Sequence, residues 1–227
     1  MMGTPQTFDV QRMLAFDLET TGRDPHSCRI VTSAMVRLAG RDKDATLLLA
    51  DPGVDIPAEA TAVHGISTEY AQEHGRPHDE VLADTIAGLR AAWADGFAVV
   101  AFNAAYDLTV LRTQDPTFTV DGLVFDPYVI DKKFDTYRKG KRTLEATCEH
   151  YQVRLEAAHD ATEDALAAAR VAWMMARKWP ELTTMNAEEL MENQAVWYFE
   201  QASSFKQYLE DQGKDATDVG TSWPMDG

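Results

Sequence analysis

The stretch Phe16-Asp17-Leu18-Glu19-Thr20-Thr21-Gly22 closes an apolar run with two carboxylates two residues apart. On a strand that spacing puts both side chains on one face, where two ionised acids repel unless a cation lies between them. The chemistry this pair predicts is a divalent metal site. Thr20-Thr21-Gly22 then turns the chain, leaving small side chains and backbone N–H groups where a phosphate or sugar can approach. A lone pair of this kind also fits a solvated strand end, so the reading depends on acids elsewhere.

Two further acids stand in suitable contexts. Asn103-Ala104-Ala105-Tyr106-Asp107-Leu108 follows the apolar run 97–102, which predicts a buried strand passing into a helix capped by Asn103, with Asp107 in its first turns. His159-Asp160-Ala161-Thr162-Glu163-Asp164 opens an Ala-rich helix, with Asp160 and Glu163 spaced as a capping pair and Asp164 four residues past the cap. Near a helix N-terminus the dipole favours the ionised carboxylate and keeps it available to a hard cation.

The elements that must position these groups can be read from the pattern. Residues 12–18, 29–38 and 44–50 read as strands, the last two joined by the turn-rich 39–43, so an antiparallel meander starts the sheet. Two short Pro/Gly-containing segments surround His64, and an amphipathic helix follows over 78–94. A central strand over 97–102, a helix from Ala104, a short apolar stretch at 123–125 and helices around 128–134, 143–151 and 161–179 complete a mixed-sheet α/β architecture. Residues 1–180 form one domain ended by Pro180, and 181–227 an extension. That extension holds a helix over 187–212 carrying Leu190, Val196, Trp197, Phe199, Phe205, Tyr208 and Leu209, more apolar surface than one narrow stripe requires. Two readings are open for it, packing on the core or binding a partner or second copy. Residues 213–227 read as mobile, with Trp223-Pro224 as a docking element.

Asp17, Glu19, Asp107, Asp164 and His159 together resemble the DEDDh group of DnaQ-like 3′-to-5′ exonucleases. Phe-Asp-Leu-Glu-Thr-Thr-Gly, Asn-Ala-x-Tyr-Asp-Leu and His-x-Ala-x-x-Asp-Ala occur in that family's order over residues 12 to about 170, and Val63-His64-Gly65-Ile66-Ser67-Thr68-Glu69 matches a fourth segment. The resemblance implies a ribonuclease H-like mixed sheet flanked by helices. It implies a site for two Mg²⁺ or Mn²⁺ ions about 3.5 to 4 Å apart, bridged by Asp17 and completed by Glu19, Asp107 and Asp164. His159 is the implied general base, with an unperturbed pKa of about 6.5. The related subclass with a tyrosine one position later is excluded, because Asp160 stands there. Thr20 would face the sugar or phosphate, His64 and Ile66 the terminal nucleotide, and Asn103 or Tyr106 the penultimate one. One departure is Thr32, which stands where many relatives place a glutamate.

Composition narrows the function further. With 227 residues and 45% hydrophobic content, the chain fits one sizeable soluble domain with an extension. No apolar run approaches the ~20 residues needed to span a bilayer, and the first residues lack a basic segment followed by an apolar core, which predicts a cytoplasmic protein with no membrane partner. Cys28 and Cys148 lack metal-ligand spacing and read as reduced, packed thiols. A net charge of −16 does not suit a protein that coats DNA. It suits an enzyme that grips a few terminal nucleotides, or one recruited by a polymerase or repair assembly. The exception is the basic segment 131–142, where Lys139, Lys141 and Arg142 are candidate phosphate ligands. The expected activity is 3′-to-5′ hydrolysis at single-stranded or frayed DNA 3′ ends; an exoribonuclease and a noncatalytic recruiting subunit of the same fold are the alternatives.

Overall fold

The structure, a computed structural model, describes residues 6–155 and 160–226. Its sheet begins with an antiparallel meander of β1 (Arg12–Thr20), β2 (Ile30–Ala39) and β3 (Asp42–Asp51). Gly40, at φ 63°, opens the two-residue turn between β2 and β3, a conformation that costs glycine little. Helices α1 (Ala58–His64) and α2 (Thr68–His74) follow, then the short strand β4 (Arg76–Pro77), α3 (His78–Ala94), β5 (Ala98–Val100), α4 (Ala104–Gln114) and β6 (Val124–Phe125). The chain continues through α5 (Pro127–Phe134), α6 (Leu144–Tyr151), α7 (Ala161–Lys178), α8 (Glu181–Thr184) and α9 (Ala187–Asp211). The strand order is β4-β3-β2-β1-β5-β6, with β4, β5 and β6 joined in parallel. This is the mixed sheet flanked by helices that the residue pattern predicts. No helix among the described residues is long and apolar enough to cross a membrane.

Packing on the two faces follows from small residues at the points of contact. On one face α3 lies so close to β2 that a Cβ on Gly88 would come within 2.6 Å of the Met35 sulfur, and Thr85 donates to Ser33 at 2.8 Å. On the other, α7 presents Ala161, Ala165, Ala168, Ala169, Ala172 and Ala176, all buried. Small side chains shorten the distance between a helix and what it packs on. The first turn of α7, with Asp164, is thereby drawn down onto β1.

The extension packs on the core, and the edge strand explains why. Among the described residues β6 has no strand beyond it, and the fully buried Gln194 of α9 satisfies that edge: its Nε2 donates to the Val124 carbonyl at 2.8 Å and its Oε1 accepts from the Asp126 N–H at 2.8 Å. The tail read as mobile from composition is packed as well. Trp223 is 8% exposed and donates its indole N–H to Asp126 at 3.2 Å, while the Asp226 N–H donates to Thr109 at 2.9 Å. One large aromatic supplies apolar surface that an average over small, acidic residues hides.

Candidate active site

β1 is buried along most of its length and loses cover at its end, so Asp17 and Glu19 emerge half-buried on one face. Asp164 meets them from α7, whose first turn is held by Asp160: the Asp160 carboxylate accepts from the N–H groups of Thr162 and Glu163 at 3.0 and 3.1 Å. One carboxylate oxygen from each of Asp17, Glu19 and Asp164 lies within 4.8 Å of the others. Burial, with the charges of Asp107, Glu19 and Asp164 adding to it, holds the Asp17 carboxyl well above the usual carboxylate range. Burial and the Asp164 and Asp160 charges push Glu19 up to about 7. Acids crowded this way favour the charged state only when a cation is close. Their donors are all carboxylate oxygens, the set that suits a hard divalent ion.

Asp107 stands just behind this trio. β5 stops beside Ala15, so beyond that point β1 needs another acceptor, and the Leu18 N–H donates to Asp107 Oδ1 at 3.1 Å. The fourth acid is therefore fixed to the strand between Asp17 and Glu19, and its own pKa is raised by burial. Asn103 does not cap α4 with its side chain, contrary to expectation. It adopts a left-handed backbone at φ 65°, tolerated by Asn, and the buried Asp126 does the capping instead, accepting from the Asn103 and Ala104 N–H groups at 2.9 and 3.0 Å. Asp126 also caps α5 through the Tyr128 N–H at 3.0 Å. The signal for it was present in the sequence as an Asp directly before a Pro, the usual start of a helix.

A cleft of about 910 Å³ opens beside the acids, bordered by Glu19, Thr20, Val63, His64, Asn103 and Tyr106. The Thr20 hydroxyl donates to the Gly22 carbonyl at 2.8 Å and lies 2.5 Å from the Tyr106 hydroxyl, so the pair braces the turn after β1. His64 Nδ1 accepts from the Ile66 N–H at 3.2 Å, which leaves the ring proton on the buried Nε2. Burial lowers the His64 pKa, against the opposing effect of a hydrogen bond to the Thr20 backbone. Ile66 does not border the cleft: it packs against Val31, Ile56 and Ala71 under α1 and α2. Val63, 44% exposed, is an apolar side chain that does border the cleft. Thr32 lies opposite Glu19 in the β1–β2 register, so a glutamate there would add another acid beside the trio.

His159 lies outside the described residues. Of the basic segment, Lys139 and Lys141 are exposed, but the Arg142 guanidinium is turned inward. It donates to Asp131 Oδ2 at 2.6 Å and to the carbonyls of Asp135 and Arg138 at 2.8 and 2.9 Å. Arg138 meets the same carboxylate oxygen at 2.6 Å, and Tyr151 donates to the other at 3.0 Å. Arg142 therefore folds the loop around the buried Asp131, and none of Lys139, Lys141 and Arg142 borders the cleft. Asp131→Ala is expected to lower stability by about 3–5 kcal/mol in chemical denaturation, because it strands two half-buried guanidinium groups without a carboxylate.

Residues 14–172 match the family model RNase_T, described as exonuclease. The chain is 28% identical over 184 residues to a PolC-type DNA polymerase III of Clostridium perfringens, covering 79% of this chain and 12% of that protein. It is 34% identical over 130 residues to a DNA polymerase III subunit epsilon-like protein of Rhodobacter capsulatus, covering 54% of this chain and 17% of that one. The chain thus spans under a fifth of the length of these relatives. Among solved structures it is similar to E. coli exonuclease I in complex with a dA16 oligonucleotide (TM-score 0.63, 17% identity, 77% of this chain and 42% of that one). It is also similar to exonuclease X in complex with 5′-overhanging duplex DNA (TM-score 0.59, 17% identity, 81% and 98%). The matched span runs from β1 into α7 and so holds all four motif acids, and the chain belongs to the RNase T exonuclease family, the DnaQ-like nucleases.

Proposed function

We propose that the protein is a divalent-metal-dependent exonuclease that removes nucleotides in the 3′-to-5′ direction from single-stranded or frayed DNA ends. The observation that carries this reading is the convergence of Asp17, Glu19 and Asp164 within 4.8 Å, backed by Asp107, beside an open cleft that Glu19 borders. Asp17, Glu19, Asp107 and Asp164 would hold two Mg²⁺ or Mn²⁺ ions, which when bound stabilise charge on the phosphoryl oxygens and lower the pKa of water. His159 takes the proton of the attacking water. His64 and Val63 border the place of the terminal nucleotide, Val63 offers its base an apolar contact, and Thr20 and Tyr106 keep the turn open to the sugar. Lys139 and Lys141 contact more distant phosphates. With a net charge of −16, the protein reaches its DNA through a polymerase or repair assembly, in keeping with the polymerase III relatives.

Chromatography of the products from a 3′-labelled oligonucleotide tests this reading. Release of labelled mononucleotide that requires Mg²⁺ or Mn²⁺ supports it. No release under any metal condition leaves a noncatalytic recruiting subunit.

The metal also has a thermodynamic signature. Glu19 has a folded pKa of about 7 against an ordinary 4.5, so the metal-free protein takes up a proton there on folding. Its contribution to stability is whole below about pH 4.5 and is lost as pH rises through about 7. A divalent cation needs the ionised acids and reverses that loss. Thermal melts with Mg²⁺ or Mn²⁺ against EDTA should show a rise in Tm that is small near pH 5 and grows towards pH 8. A rise independent of pH would place the ion elsewhere.

A further inference from the structure

We propose that α9 and the tail build a second groove, continuous with the cleft, that grips the single strand on the 5′ side of the nucleotide being removed. This rests on the exonuclease reading, in which the terminal nucleotide lies towards His64 and Val63 and the strand leaves past Asn103. Asn103 borders both the cleft and a groove of about 310 Å³ whose other walls include Tyr128, Lys132, Tyr198, Gln201 and Phe205.

Leu190, Gln194, Trp197, Gln201, Phe205 and Tyr208 follow one another along α9 at helical spacing. The first three of these are buried, whereas Phe205 and Tyr208 are 51% and 56% exposed beside the buried Ala202 and the half-buried Leu209. Of the two, Phe205 borders the groove, where Tyr128 and Tyr198 also present their rings. Within the groove the half-buried Lys132 places its ammonium 4.7 Å from the centre of the Tyr128 ring and 3.3 Å from the Tyr128 hydroxyl. No carboxylate among the described residues lies within 4.0 Å of it, although the chain carries 37 acids. A cation without an ion pair among the described residues, set among aromatic rings, matches what a single strand requires: a positive charge for the phosphate and flat faces for the bases.

Charge also decides between the two exits from the cleft. A cavity of about 670 Å³ shares Asn103 and Tyr106 with the cleft but carries Asp24, Asp218 and Asp226 against Arg23 and His26. The α9 groove has Asp218 as its one carboxylate, together with Lys132. A polyanion is repelled by the first and received by the second.

The test uses the full chain with Lys132→Gln and Phe205→Ala. Fluorescence anisotropy with labelled (dT)₃ and (dT)₁₀ in EDTA reads binding without turnover, and kcat/KM on the same two lengths in Mg²⁺ reads catalysis. The wild type is expected to bind the ten-mer more tightly than the trimer. Each variant should lose about 10-fold in affinity and raise KM for the ten-mer while leaving the trimer unchanged, the scale of one stacked base or one phosphate contact, and Phe205→Trp should retain the wild-type length dependence. Variants that match the wild type on both lengths, or that weaken both equally, overturn the groove. Cleavage by the wild type with no effect of either variant removes the groove and keeps the exonuclease. Length-dependent binding that the variants abolish, with no cleavage by any form, removes the exonuclease and keeps the groove.

Discussion

Asp17→Ala and Asp164→Ala are each expected to lower kcat by about 10³-fold or more, with the protein still folded. A metal-bound phosphoryl group draws several kcal/mol of transition-state stabilisation from its cations, and each 1.36 kcal/mol is a factor of ten. Asp17 and Asp164 are two of the three acids whose oxygens come within 4.8 Å of one another, so neither can be lost without opening the cluster. Stability should move in the opposite direction. The Asp17 pKa is raised by burial and by Asp107, Glu19 and Asp164, so removing either Asp17 or Asp164 relieves repulsion in the metal-free protein. In EDTA near pH 8 the variants should melt at or above the wild type, and their Tm should respond less to Mg²⁺. Folded variants with near-normal rates would exclude this cluster as the active site.

His159→Ala is expected to slow hydrolysis by about 10²-fold or more, the usual scale for a positioned general base. The residue lies outside the described part of the structure, and the expectation comes from its place in the third motif, immediately before the Asp160 cap of the helix that carries Asp164. The pH profile separates a base from a merely structural residue. With Mg²⁺ saturating at every pH, so that the metal ligands stay ionised, the acid limb of kcat/KM in the wild type should fall below about pH 6.5 as the imidazole takes up a proton. In the variant that limb should disappear while Mg²⁺ still raises Tm. A loss of only a few-fold, or an unaltered acid limb, would move the base role to another group.

The acids were legible in the sequence because their chemistry is local. An i, i+2 pair at a strand end shares a face whatever the rest of the fold does, and an Asp in the first turn of a helix is recognisable from the cap before it. The long helices α3, α7 and α9 were equally readable, since their periodic apolar faces extend over several turns. α1 and α2, at seven residues each, are too short for a period to emerge, and α8 and the two-residue β4 exist only through their neighbours. Side-chain orientation was the other gap. Arg142 looked like a free cation until the buried Asp131 claimed it from eleven residues away, and the packing of Ile66 against Val31, Ile56 and Ala71 has no local signal. The tie between Trp223 and Asp126 joins residues 97 positions apart, a separation that no local pattern encodes.

The most direct measurement is a time course on a 5′-labelled single-stranded DNA, run beside single-stranded RNA, a matched duplex and a 3′-mismatched duplex, in Mg²⁺ and in EDTA, with Asp17→Ala as the control. The expected result is a ladder that descends one nucleotide at a time from full length, faster on single strands and mismatched ends than on the matched duplex, and absent in EDTA and in the variant. A ladder confined to RNA would reassign the substrate. Immediate release of the labelled 5′ nucleotide, cuts at internal positions, or an unchanged ladder with Asp17→Ala would contradict 3′-to-5′ exonuclease action at this site.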